Sequence, residues 1–282
     1  MLTTFCLALL FQPIDSSTTA VVESWVNSFQ STICFSTTSN GKLFVVDQKS
    51  QSLQQLTQNG KTEKTIGGKG WGNYEFDGPT DVSSSFLLNI YVTDYNNRRI
   101  QQYDAQLNYI QTIDENSLSS DIGRFYPRAC ALSSLGDLFV VEIDGKRILK
   151  LNKRYQLEQE FGTFKDGAGA LSEPKDIAIS ASDEIFVLDG TKIIVYDIFG
   201  NYLRAIKLPE GEWKSVQVSG NIVIATASRS IAVFSFDGTE QRVFKHDSIV
   251  GISSTDEFVD SLISDEKLII LSPSTLYFCS LQ

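Results

Sequence analysis

The chain has 282 residues, 42% of them apolar and 21% charged, with a formal net charge of −10. That length suits two average domains or one large all-β domain, and the apolar share can bury a sizeable core. The acidic balance argues against general nucleic-acid binding and against polybasic attachment to lipid, because both rest on Lys and Arg.

At the N-terminus, residues 5–11 (FCLALLF) form an apolar run followed by polar QPIDSSTTA. The run is too short to span a bilayer, so no integral membrane segment is expected here. Its size and the small residues at 17–20 fit a secretory signal, although no Lys or Arg precedes it. Residues 1–19 are therefore read as a signal peptide or a disordered tail. A real signal implies an extracytoplasmic protein, periplasmic or secreted; otherwise the protein is cytoplasmic. Residues 21–29 (VVESWVNSF) then read as a strand that the repeats below leave unassigned.

From there one pattern recurs to the C-terminus. Its clearest element is a short apolar run: LFVVD (43–47), IYVTD (90–94), LFVVE (138–142), IFVLD (185–189), IVIAT (222–226) and LIILS (268–272). The last residues of these runs are 47, 48, 47, 37 and 46 positions apart. Each run is preceded by a segment ending in serine: Ser36, Ser85, Ser133, Ser180, Ser219 and Ser264. Each is followed by a second segment: SLQQLT, RIQQYD, RILKLN, KIIVYD, SIAVFS and TLYFCS. An outer stretch completes five repeats: TEKTI, YIQTI, LEQEF, LRAIK and QRVF.

These segments are short, rich in Ile, Val, Phe and Tyr, and separated by turn residues, which marks them as strands. Their nearly continuous apolar runs need sheets covered on both faces. Blades packed radially against their neighbours supply that environment, and the repeat has the size of a propeller blade. The sixth repeat lacks an outer strand, and residues 21–29 are a strand without a sheet. The expected fold is thus an all-β, six-bladed β-propeller of four-stranded blades over residues 20–282. The N-terminal strand completes the last blade and closes the ring, which suggests a monomer.

The middle repeats resemble NHL repeats. The resemblance is carried by Pro79 through IYVTDYNNRRIQQYD, Pro127 through LFVVEIDGKRILKLN, and Pro174 through IFVLDGTKIIVYD. The segments GGKGWGNYEFDGP and GTFKDGAGALSEP look like the glycine-rich loop before an NHL blade. The last two repeats depart from the pattern, with Thr226 and Ser272 in place of the acid. Some NHL-like propellers, the peptide-amidating and streptogramin lyases, use histidines and a metal in or near the channel. This chain has one histidine, His246, so that chemistry is not expected. Calcium-dependent lactonase propellers use carboxylates and amides, and a hydrolase of that kind is the alternative reading.

The acids Asp47, Asp94, Glu142 and Asp189 fall at equivalent positions, with Arg99 and Arg147 five residues after two of them. A single active site does not need one group four times, so these six residues are read as braces within their own blades. Asp81, Asp176, Lys175, Arg128 and Lys214 begin inner strands, where a channel mouth would lie. Cys6 lies in the N-terminal run, while Cys34, Cys130 and Cys279 lie in strand-like runs and read as buried thiols. No CxxC pair, nucleophile with a nearby base or cofactor motif is present, so no catalytic residue, metal ligand or cofactor is assigned. Calcium belongs to the alternative alone. The binding candidates are loop aromatics and their neighbours: Trp71, Tyr74, Phe76, Arg124, Phe125, Tyr126, Arg128, Lys175 and Trp213. The expected function is a non-catalytic scaffold that recognises a protein, peptide or glycan, and not nucleic acid, at one mouth of the ring.

Overall fold

The computed structural model describes residues 17–84, 89–118, 122–264 and 267–282. The bulk of the expected signal segment, Cys6 and Ser85 fall outside them.

The chain opens with β1 (Ala20–Val26) and then builds blades from the centre outward. Blade one is β2 (Thr32–Thr37), β3 (Leu43–Asp47), β4 (Ser52–Leu56) and β5 (Thr62–Gly67). Blade two is β6 (Pro79–Ser84), β7 (Ile90–Asp94), β8 (Arg99–Tyr103) and β9 (Tyr109–Asp114). Blade three is β10 (Pro127–Leu132), β11 (Leu138–Glu142), β12 (Arg147–Leu151) and β13 (Leu157–Phe161). Blade four is β14 (Pro174–Ile179), β15 (Ile185–Asp189), β16 (Lys192–Tyr196) and β17 (Tyr202–Lys207). Blade five is β18 (Trp213–Ser219), β19 (Ile222–Ala227), β20 (Ser230–Ser235) and β21 (Glu240–Lys245). Blade six is β22 (Asp260–Ser264), β23 (Lys267–Leu271) and β24 (Leu276–Leu281), with β1 as its outermost strand.

The result is an all-β, six-bladed β-propeller in which every sheet is antiparallel. Among the described residues no helix is long and apolar enough to cross a membrane.

Closure follows from the strand count. β1 pairs with β24 from Ala20 opposite Leu281 to Val26 opposite Leu276. Thr19 and Gln282 extend the ladder, each donating its backbone N–H to the other's carbonyl, at 2.7 and 2.9 Å. Blade one packs onto this seam through its outer turn. Gly60 there has φ +79°, and a Cβ at that position would collide with Val26.

The apolar runs are buried along their whole length, because each second strand is covered by the blades on both sides. The core is therefore divided into clusters between blades. One joins Phe44, Val46 and Leu53 of blade one to Val82, Val92 and Tyr103 of blade two. Another joins Tyr91 and Ile100 of blade two to Cys130, Leu138 and Leu149 of blade three. Residues from the loops between blades seal these seams: Phe76 lies in the first cluster, Phe125 in the second and Leu171 in the next.

Candidate functional site

The repeated acids sit where each second strand ends, and all four are buried. Asp47 accepts the backbone N–H groups of Gln30, Ser31, Lys49 and Ser50, so it gathers the loop before its blade and the turn after β3. Asp189 gathers the loop before its blade through the N–H groups of Ser172 and Glu173. Glu142 accepts from the N–H groups of Asp144 and Gly145 and from Arg147. Asp94 accepts from Asp77 N–H at 2.7 Å, Asn97 Nδ2 at 2.8 Å and Arg99 Nε at 2.8 Å. Arg99 then donates to the carbonyls of Trp71, Gly72 and Glu75, which holds the glycine-rich loop in place. Arg147 likewise reaches the Ile122 carbonyl.

The inner strands carry a second device. In blades one to five the pairing of the inner strand with its neighbour slips by one residue near its start. The residues left over are Ile33, Thr80, Arg128, Lys175 and Lys214, and Val259 holds the corresponding place just before β22. A β-bulge leaves one residue without a partner and re-aims its side chain. Five of these six, all but Thr80, line a single cavity of about 630 Å³ at the mouth where the inner strands begin. Thr80 turns sideways instead, its hydroxyl donating to the Arg128 carbonyl at 2.7 Å.

The rim so formed is polarised. Blades three, four and five contribute Arg128, Lys175 and Lys214, while blades one and six contribute Ile33 and Val259. Lys146, Tyr95, Ile143, Glu173, Pro174, Glu212 and Trp213 complete the wall. Two cations are already paired, Lys175 with Glu173 at 3.3 Å and Lys214 with Glu257 at 3.4 Å. Among the described residues no carboxylate pairs with Arg128 or Lys146. Beside them Tyr95 stands against Tyr126 at 5.7 Å between ring centres, and the Arg98 guanidinium lies 5.7 Å over the Tyr126 ring.

Below the mouth, the next position along the inner strand carries Asp81, Asp176 and Asp260 on blades two, four and six, and Cys34, Ala129 and Ser215 on the blades between; Asp81 and Asp176 line a cavity of about 170 Å³ among the inner strands. Each acid accepts an N–H from the inner strand of the following blade: Asp81 from Cys130 at 2.9 Å, Asp176 from Val216 at 2.8 Å, and Asp260 from Phe35 at 3.0 Å. Burial, and then the charge of Asp176, pushes Asp260 up to about 7. Burial alone pushes Asp176 up to about 6, against the N–H groups of Val216 and Ile177 and the Arg128 charge. Asp81 is raised as well, by burial first and then by Asp176. Cys34 and Cys130 beside them are free, buried thiols held in the protonated form by the same causes. The described residues contain no group of three His, Cys, Asp or Glu side chains arranged to hold a metal ion.

The structure thus sorts the expected binding residues. Arg128, Lys175 and Trp213 meet at the mouth, and Tyr126 stands next to its Tyr95 wall. Trp213 is not an exposed loop residue as expected: it begins β18, is nearly inaccessible, and donates its Nε1–H to the Pro209 carbonyl at 2.9 Å. Phe76 and Phe125 need the same correction, because both rings are fully buried between blades and offer nothing to a ligand. Trp71 and Tyr74 are exposed, at 68% and 45%, but neither lines the cavity. Tyr74 packs by Tyr103 and Tyr109 and accepts the N–H of Tyr109, which places it on the outer edge of blade two. Arg124 is exposed without lining the mouth. His246 follows β21, stacked on Phe258 at 5.2 Å with Nε2 3.1 Å from the Ser253 carbonyl, and lines neither the mouth nor the channel cavity.

Tyr95, Ile143, Lys146 and Val259 were not foreseen. Tyr95 and Ile143 directly follow the bracing acids Asp94 and Glu142, and that repeat position was the available signal. Val259 precedes Asp260 as Lys175 precedes Asp176, but its blade has no proline to set the register.

The ring and its polarised mouth define the class: a six-bladed β-propeller whose inner-strand bulges furnish one end of the channel. No family model matches the chain, and no curated protein sequence does. Among solved structures it is similar to a streptogramin B lyase, at 13% identity over 94% of this chain and 97% of that one, with a TM-score of 0.63. It is also similar to a catalytically inactive virginiamycin B lyase from Staphylococcus aureus, solved with quinupristin, at 11% identity over 94% and 100% with a TM-score of 0.66. A chain of a nidogen/laminin complex shares 14% identity over 78% and 82%, with a TM-score of 0.62. At such identities the likeness is one of fold.

Proposed function

We propose that the chain is a non-catalytic recognition propeller of the NHL kind, which binds a protein or peptide segment over the mouth where the inner strands begin. The observation that carries this reading is the set of bulges, which turn one residue per inner strand out of the ladder and into one cavity of about 630 Å³. Sites of that size, built on rigid elements with a few polar groups among apolar ones, are the usual form of a binding pocket. The nidogen/laminin neighbour supports it as a propeller found in a protein complex. The lyase neighbours bear on the fold, while the one imidazole of this chain packs on Phe258 and does not line the cavity. A calcium-dependent hydrolase would need several oxygen ligands converging on one point, and the described residues contain no group of three acidic, His or Cys side chains so arranged.

The test is selection of phage-displayed random peptides on the full chain, followed by binding to the Tyr95→Ala/Tyr126→Ala variant. Binders that are lost with the two rings, while the variant keeps its melting temperature, are expected. Binders indifferent to both rings would overturn the reading.

A further inference from the structure

We infer that the segment this mouth accepts is acidic, with its carboxylates against Arg128 and Lys146 and an apolar side chain against Ile33 and Val259. The inference rests on the mouth being the binding surface and says what chemistry that surface selects. Three observations lead to it. The protein carries a net charge of −10, yet the residues presented by the inner strands of blades three, four and five are all cations. Those cations are not equivalent: Glu173 and Glu257 neutralise Lys175 and Lys214, whereas among the described residues Arg128 and Lys146 form no ion pair, Arg128 acting on the buried Asp176 only at longer range and Glu212 standing on the same wall. Finally, the opposite arc of the same rim holds Ile33 and Val259, half-buried and uncharged.

A concave wall concentrates the field of unpaired charges, so a carboxylate entering here is attracted before contact and held by charge-assisted hydrogen bonds after it. The Arg128 guanidinium can receive a carboxylate in a two-pronged fork, and Lys146 adds a mobile second donor. Beside them the tilted Tyr95–Tyr126 pair, with the Arg98 guanidinium over Tyr126, gives an aromatic flank against which the ligand backbone can lie. A basic segment would meet Arg128 and Lys146, with Glu212, among the described residues, the one carboxylate of that wall outside an ion pair to offset them. A wholly polar acidic segment would leave Ile33 and Val259 in water. The surface therefore selects a segment in which Asp or Glu alternates with a large apolar residue.

The experiment reads both the composition of the peptides selected on the full chain and their affinity for charge variants. Peptides that depend on Tyr95 and Tyr126 are expected to be enriched in Asp and Glu next to Leu, Ile, Val or Phe. Their affinity for Arg128→Gln/Lys146→Gln should fall at least about tenfold, the factor that corresponds to 1.4 kcal/mol. Lys175→Gln/Lys214→Gln, whose lysines are already paired, should cost less. Raising the salt should weaken the wild-type complex more than the Arg128→Gln/Lys146→Gln complex. Ring-dependent peptides without an acidic excess would overturn this inference and leave the mouth as the binding surface. No ring-dependent peptide at all would overturn both. A short oligothymidylate is titrated in parallel, and tighter binding of it than of any peptide would assign the cationic arc to single-stranded nucleic acid.

Discussion

Asp260 on the innermost strand of blade six accepts the backbone N–H of Phe35 on blade one at 3.0 Å, so a carboxylate fastens the last blade to the first inside the channel. The outer seam at β1 and this inner clasp close the ring at both ends of the same radial sheet. Asp260→Ala leaves the Phe35 N–H without its partner, and a buried unsatisfied donor costs about 1–3 kcal/mol. Asp260→Asn keeps a carbonyl oxygen for that N–H and removes a charge repelled by Asp176. Urea denaturation at pH 8 is expected to rank Asn equal to or above wild type, with Ala below both. An Asn variant as weak as the Ala variant would mean that the charge itself holds the seam.

The channel acids also set a pH dependence. Asp260 and Asp176 are pushed up to about 7 and about 6, and Asp81 is raised, all by burial first. In the unfolded chain these carboxyls ionise near pH 4. Between about pH 4 and pH 7 the folded protein therefore binds more protons than the unfolded one, and stability falls as pH rises through that window. Acidification from pH 8 to pH 5 should raise the melting temperature. The Asp81→Asn/Asp176→Asn/Asp260→Asn variant should show a flatter profile. A profile of unchanged slope in that variant would assign the effect to the overall negative charge.

Asp94 and Arg99 form the most buried ion pair of the braces, at 2.8 Å, and Arg99 holds three carbonyls of the glycine-rich loop. Asp94→Ala strands a buried guanidinium, a change that costs about 3–5 kcal/mol. The expected outcome is a large drop in melting temperature together with faster proteolysis between residues 67 and 78. Peptide binding at the mouth should survive wherever the variant remains folded. Loss of binding at unchanged stability would make Asp94 part of the site.

The N-terminal strand is a structural part of blade six. Removal of residues 17–26 bares the β24 edge and the apolar side chains that β1 covers. Unpaired edges recruit other strands. The truncated chain is expected to melt earlier and to elute as higher assemblies on size exclusion, whereas the full chain elutes as one copy. A truncated monomer of normal stability would show that the seam is held by the inner clasp alone.

The strands were legible because each depends on local information. A fully buried strand needs an unbroken apolar run such as LFVVD, and the turn residues at its ends have no other cause. The pairing of β1 with β24 followed from counting, since blade six was one strand short. Blades five and six were harder to read because their braces use other groups. Thr226 shares a hydroxyl bond with Ser261 at 2.7 Å, and Ser272 reaches Asp256 at 2.9 Å, so the acid that marks the other repeats is absent.

The sequence by itself determined the blade count, the strand order, the closing strand and the place of the bracing acids, because these arise from a repeat and from local hydrogen-bond needs. Only the tertiary structure decided which residues line the mouth. Phe76 and Phe125 sit in loops as Trp71 does, but the neighbouring blade covers them and leaves Trp71 in solvent. A one-residue bulge decides whether Arg128 joins the ladder or the mouth, and strand periodicity is blind to a slip of one position. Although Glu173 pairs with Lys175 locally, whether a cation is free can depend on a carboxylate from another blade, as Glu257 pairs with Lys214 across 43 residues of sequence. Such pairings are created by the ring, and no local pattern encodes them.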